Sequence, residues 1–274
     1  MHDPGPAFRA LHQPGTPFVL ANAWDIGSAR MLAALGAQAI GTSSAAFAFT
    51  LGKPDGQVTR DEALAHAESI VAATELPVSG DFENGYGDDP DTVAETVRLA
   101  CEAGLAGLSI EDTLSGATGS YERDLAVERI RAAASAARSL PRDFMLVARA
   151  DGVMLDTYDI EEALARLAGF EEAGADCLYV PAPPSFEDLQ RICESTTLPV
   201  NALTVGTLAS YTLEDFARIG VARISLGSSL ARVTHRAIID AMSEVFEDGS
   251  FSRLKKSVSG GEIDQMLIAG ATKA

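Results

Sequence analysis

The sequence predicts a (β/α)8 barrel of TIM type, on three observations. Eight short apolar runs, at 18–24, 39–44, 77–83, 107–112, 144–151, 177–182, 199–204 and 223–227, alternate with longer helical patterns. Continuous apolar strands that alternate with helices require parallel pairing with right-handed crossovers, and eight such units close most simply into a barrel. The polar residues gather at the C-terminal ends of the runs, where barrels carry their chemistry. An open doubly wound sheet is the rival, but Trp24-Asp25-Ile26-Gly27 after the first run is not its GxGxxG fingerprint.

The elements follow in order. Helical patterns are predicted at 26–35, 60–74, 91–103, 125–139, 160–173, 186–195, 213–219 and 229–246. Thr59, Asp91-Thr92, Ser185 and Thr212 stand where N-caps belong, and Gly36, Gly104, Gly174 and Gly220 where helices stop. The second run ends in Thr42-Ser43-Ser44-Ala45, small residues that let backbone N–H groups approach a ligand, and Asp55 follows in the next loop. The third run delivers Asp81 and Glu83, two apart and therefore on one face, before breaking at Gly85 and Gly87. Two such carboxylates repel unless a cation lies between them, and Mg2+ needs only one or two protein carboxylates plus water and substrate. A solvated acidic loop is the alternative, and Asp88, Asp89 and Asp91 fit it better.

The fourth run ends in Glu111-Asp112, the fifth in Arg149 and Asp151, the sixth in Pro181, and the seventh carries Asn201. After the eighth, Leu226-Gly227-Ser228-Ser229 leads a helix and reads either as a phosphate cup or as an ordinary cap. A further amphipathic stretch at about 251–270 completes the chain, which reads as one barrel domain over 1–274.

A net charge of −18, from 21 basic and 39 acidic residues, argues against nucleic acid and membrane surfaces as partners. It leaves a small anion open, because one cation and one Arg reverse a local field. Cys101, Cys177 and Cys193 lack CxxC spacing and suggest neither a disulfide framework nor a zinc site. His2, His12, His66 and His235 are scattered and read as surface or helix residues. With no signal sequence and no membrane-length apolar run, a cytoplasmic, reduced protein is expected.

Taken together, Asn22-Ala23-Trp24-Asp25, Thr42-Ser43-Ser44, Leu51-Gly52-Lys53-Pro54-Asp55, Asp81-Phe82-Glu83-Asn84-Gly85-Tyr86-Gly87, Gly107-Leu108-Ser109-Ile110-Glu111-Asp112, Val147-Ala148-Arg149 and Ala173-Gly174-Ala175-Asp176 resemble the isocitrate lyase/phosphoenolpyruvate mutase superfamily. The resemblance covers nearly the whole chain. It implies an α/β barrel that forms a homo-oligomer, dimer or tetramer, by exchanging a C-terminal helix. It implies Mg2+, or Mn2+ in its place, held by Asp81 directly, with Asp55, Glu83 and Glu111 holding its waters. Arg149 would clamp a substrate carboxylate, the backbone at Ser43, Ser44 and Ala45 would cradle the other end of a 2-oxo acid, and Asn201 would contact substrate. Arg149, Glu111 and Asp55 form the catalytic set so implied. The shared chemistry is cleavage or hydrolysis of a C–C bond through a metal-stabilised enolate.

The chain departs from the family after the fourth run. The isocitrate and methylisocitrate lyases carry a K-[KR]-C-G-H loop there, whereas residues 112–121 hold no Cys, Lys or His. The phosphonomutases carry a Lys and an Asn in that loop and a His where Pro181 falls, while Asn201 agrees with the lyase branch. Lyase or hydrolase action on a 2-oxo acid or dicarboxylate is therefore the leading expectation. A phosphonopyruvate-type C–P enzyme and a non-catalytic 2-oxo acid binder are the alternatives. The stretch 113–123 reads as a lid whose only proton-donating groups are Ser115, Thr118, Ser120 and Tyr121.

Overall fold

Eight parallel strands close into a barrel in strict chain order in the computed structural model, which describes residues 3–114 and 119–271. The strands are β1 (Phe18–Asn22), β2 (Ala39–Gly41), β3 (Val78–Asp81), β4 (Gly107–Glu111), β5 (Met145–Arg149), β6 (Cys177–Tyr179), β7 (Val200–Leu203) and β8 (Arg223–Ser225). Each falls within a predicted run and stops short of its C-terminal end, because ladder pairing ceases where the chain turns outward into the functional loops.

The helices are α1 (Gly5–Leu11), α2 (Ile26–Ala34), α3 (Ser44–Thr50), α4 (Arg60–Ala73), α5 (Pro90–Glu102), α6 (Arg123–Arg138), α7 (Ile160–Glu172), α8 (Phe186–Glu194), α9 (Leu213–Arg218), α10 (Ser229–Asp248) and α11 (Gly260–Ala269). Thr59, Ser185 and Thr212 cap α4, α8 and α9 with side-chain oxygens, as the sequence suggests. The cap of α5 is Asp89, whose side chain accepts from the Asp91 amide, so the acidic run at 88–91 is partly structural. Neither α1 nor α3 is legible as a helix in the sequence. Both are seven residues long, too short to show a helical period.

Two layers bury the apolar residues. Between the strands and the helices lie side chains such as Ile40, Phe82, Ile110, Leu146 and Phe170. A smaller cluster, Phe8, Phe18, Leu20, Met145, Val147 and Cys177, fills the lower barrel, with Phe8 of α1 closing it from below. His12 at the end of α1 is buried there and is not a surface residue, while His66 is a helix residue, as expected, on the buried face of α4 against Trp24. Cys101 and Cys177 are buried free thiols, as expected of core residues. The C-terminal helix α11 packs on α2 of its own chain. Along α10, Val233, Ile238, Ile239 and Phe246 remain exposed. Among the described residues no helix is long and apolar enough to cross a membrane.

Candidate active site

The site lies at the C-terminal ends of β2 to β5. Parallel registration places Asp81 beside Ser109 and Glu111 beside Arg149, so that residues far apart in sequence converge on one rim. Asp81 is held from both sides. Its Oδ2 accepts from the amide and the hydroxyl of Ser44, each at 2.9 Å, and its Oδ1 accepts from Arg149 Nη1 at 2.9 Å. Its own amide donates to Thr42 Oγ1 at 2.8 Å. The small residues after β2 thus orient a carboxylate: Ser43 caps α3 by accepting from the Ala46 amide, Ser44 grips Asp81, and Ala45 continues the helix.

Glu83 sits one turn beyond, in a loop that winds through the left-handed region at Glu83 (φ 46°), Gly85 (φ 82°) and Tyr86 (φ 62°). Positive φ at two residues other than glycine is costly and persists only where the surroundings enforce it. The enforcement is visible. Arg129 of α6, wholly buried, donates to the carbonyls of Gly87 at 2.5 Å and Asp88 at 2.7 Å, and to that of Asn84. Tyr121 donates to Asp88 Oδ1 at 2.6 Å and accepts from Asn84 Nδ2 at 3.0 Å. The Glu111 amide donates to the Glu83 carbonyl at 2.8 Å.

Charge at this rim is unbalanced. Arg149 reaches Asp81 and Glu111 at 2.9 Å each and takes Asp151 in a two-point contact, 2.6 Å from Nη2 and 3.2 Å from Nε. One guanidinium therefore faces three carboxylates, with Glu83 and Asp55 beyond them. Burial, then Asp81 and Asp55, push Glu83 up to about 7. Glu111 is driven well above its ordinary range by burial, against the pull of Arg149. Burial likewise pushes Asp151 up to about 6 despite Arg149. Asp55, on the rim loop, is raised by desolvation and by Asp81. Burial lowers Arg149, but Asp151, Glu111 and Asp81 more than offset it and hold it charged.

This donor set suits a hard divalent cation. The groups are oxygen ligands in excess of positive charge, and Glu83 Oε1 is buried without a hydrogen-bond partner among the described residues. Among those residues no three Asp, Glu, His or Cys side chains converge closely enough to ligate one ion as they stand. Asp112 is different. It accepts from the Asp151 amide, Tyr158 Oη and Arg166 Nη1 at 2.8, 2.6 and 3.0 Å, and so braces the loop after β5.

Asn201, read from the sequence as a substrate contact, is wholly buried inside the barrel, where its amide donates to Ser225 Oγ at 2.9 Å and accepts from Arg223 Nε at 2.8 Å. The loop expected to act as a lid lies partly at 115–118, outside the described residues, with Ser115 and Thr118. Of its other hydroxyls, Thr113 donates to Glu111 Oε2 at 3.0 Å, Ser120 bonds Thr157 at 2.7 Å, and Tyr121 is committed to Asp88 and Asn84. In the run after β8, Ser228 makes no side-chain cap at the start of α10. The amides of Leu226 and Gly227 donate to Asn22 Oδ1 at 2.8 and 3.1 Å, an ordinary structural tie.

Sequence reasoning missed three residues here. Asn22 also donates to the Thr42 carbonyl at 2.7 Å, so one amide fastens β1 to β2 and β8. Tyr86 Oη is buried and unpartnered among the described residues, within the field of Glu83 and Asp81. Arg223 points into the barrel under Arg149. Only the alternation of Arg223 and Ser225 on β8 hints at this, and it needs the strand's parity to be read.

Residues 8–246 match the family model for phosphoenolpyruvate phosphomutase. An uncharacterised protein of Mycobacterium tuberculosis is 36% identical over 264 residues, covering 96% of each chain. An oxaloacetate decarboxylase of Pseudomonas putida is 32% identical over 244 residues, covering 86% of this chain and 82% of that one. The crystal structure of a candidate lyase/mutase from Burkholderia cenocepacia superposes with a TM-score of 0.91 at 43% identity, over 96% of this chain and 94% of the other. The chain belongs to the phosphoenolpyruvate phosphomutase family within the isocitrate lyase/phosphoenolpyruvate mutase superfamily, and it is an enzyme of that type.

Proposed function

We propose that the enzyme cleaves or hydrolyses the C–C bond next to the oxo group of a 2-oxo acid, with oxaloacetate the first candidate. The observation that carries this reading is the excess of carboxylates around Arg149 at the ends of β3, β4 and β5. Asp81, with Glu83, Asp55 and Glu111 around it, would hold Mg2+ or Mn2+. When bound, the metal supplies positive charge beside the oxo oxygen, which becomes negative as the bond breaks. Ser44 fixes the Asp81 carboxylate so that little reorganisation is needed. Arg149 stays charged and would offer Nη1 to a substrate carboxylate, with Asp81 and Glu111 the residues that would face a bound cation. The name of the Pseudomonas putida relative supports oxaloacetate, and the lack of Lys, Cys and His between 112 and 121 weighs against the C–P reading.

The exposed apolar side chains of α10 support a homo-oligomer, whereas α11, packed on α2 of its own chain, gives no support to exchange of the C-terminal helix. The activity test is a panel of oxaloacetate, methylisocitrate and phosphonopyruvate with Mg2+, with and without chelator. Pyruvate, or oxalate with acetate, released from oxaloacetate only when metal is present is the expected result. Turnover of phosphonopyruvate alone would overturn it.

A further inference from the structure

Below the carboxylates the barrel is polar where such barrels are ordinarily filled with branched apolar side chains. Arg149 lies over the ring of Tyr179, its guanidinium carbon 5.0 Å from the ring centroid, and Tyr179 shares a side-chain hydrogen bond with Ser225. Ser225 accepts from Asn201, which accepts in turn from Arg223 Nε at 2.8 Å. This chain of contacts ends at a small chamber of about 40 Å³, lined by Asp81 and Arg149 at its upper side and by Ser109, Ser225 and Arg223 among others.

Arg223 is 3% exposed, and its Nη1 is buried with no hydrogen-bond partner among the described residues. Asp81, the one carboxylate among the charges that chiefly act on it, is already committed to Arg149 and Ser44. A guanidinium cannot shed its proton to escape this. A buried charge without a counter-charge is among the most unfavourable arrangements in a protein interior, and Arg149 adds repulsion from above. One water needs about 10–15 Å³ of such space, so the chamber admits a small ion or one carboxylate group.

We propose that Arg223 Nη1 and the chamber beneath Arg149 form a binding site for one small monovalent anion, either a free halide or a single ligand-borne carboxylate. The competing arrangement is a lone water. His12 Nδ1 must donate to the Phe8 carbonyl, 2.9 Å away, so the unpartnered Nε2 presents a lone pair. A water passing from Arg223 to that lone pair would complete both hydrogen bonds and leave the charge uncompensated.

The experiment uses the natural chain without substrate or metal, so it does not depend on the lyase reading. Crystals soaked in bromide should show anomalous density at Arg223 Nη1, which identifies a free anion. If bromide is absent, a soaked acetate carboxylate at the same nitrogen identifies the ligand-borne source. In solution, replacing gluconate, too large for the chamber, by chloride at constant ionic strength should raise Tm saturably by about 2–4 °C. The rise should vanish in Arg223→Met. If that variant does not fold, the two soaks on the natural chain decide alone. Water bridging Arg223 to His12 in both soaks, with the same Tm in chloride and gluconate, would overturn the proposal.

Discussion

Arg149 and Asp81 form an ion pair of 2.9 Å through the carboxylate oxygen that Ser44 leaves free. The guanidinium therefore stands where a cation would draw on the same carboxylate, and the two compete. Replacing Arg149 by Lys keeps the charge and loses the planar fork that holds Asp151. Oxo-acid affinity should fall by roughly 10–100-fold, the scale of a lost hydrogen bond between charged groups, while divalent-cation affinity holds or rises. Titration calorimetry with Mn2+ and with oxalate measures both; an unchanged oxalate affinity assigns Arg149 a purely structural role.

Asp81→Asn should abolish divalent-cation binding with the fold intact, since the amide oxygen can still accept from Ser44 while its NH2 group loses the contact to Arg149. Glu83→Gln should weaken the cation by about 10–100-fold, as expected of a group acting through water. The order of the two effects is the test, and equal losses would make Glu83 a direct ligand.

Tyr121→Phe removes the hydroxyl that joins Asp88 to Asn84. The expected cost is about 1–3 kcal/mol of stability, seen as a lower urea midpoint, with the shape of the pH–rate profile unchanged. A lost alkaline limb in that profile would instead make Tyr121 the proton donor.

His66 is stacked on Phe47 with ring centroids 3.8 Å apart and donates Nε2–H to the Trp24 carbonyl at 3.0 Å. Burial holds its pKa down at about 4, below the unfolded value of 6.5. The unfolded chain binds the extra proton between these values, so this contribution is intact above pH 6.5 and is lost as pH falls towards 4. The nearby carboxylates of raised pKa run the other way, which makes the difference between variant and parent the useful quantity. Against His66→Phe, the parent should lose about 1.4 kcal/mol more per pH unit in that window. Urea unfolding at pH 7 and pH 5.5 measures it, and parallel pH dependence of the two proteins would refute the assignment.

The strands and the rim carboxylates were legible because each is a local signal. An apolar run marks a buried strand, a glycine marks the helix stop before it, and a carboxylate at the end of a run marks the rim. The partners of Arg149 were less so. Sequence suggests a free clamp, but its fork closes on Asp151, two residues along the same chain, which only the turn after β5 brings back. Asn201 kept its place on the strand and changed its neighbours, because Arg223 and Ser225 on β8 take up its amide. Arg223 and Asn22 were illegible for a single reason. Their contacts arise from barrel closure, which no window of sequence contains.

The tie from Asn22 to the Leu226 amide spans 204 residues of chain. A growing polypeptide cannot form it until nearly the whole barrel has left the ribosome. Before then β1 and the latest strand made are open edges, able to pair with other chains. Slow, late closure and sensitivity to truncation near Gly227 are therefore built into the topology, and a nascent chain stalled before β8 should be the species most in need of a chaperone.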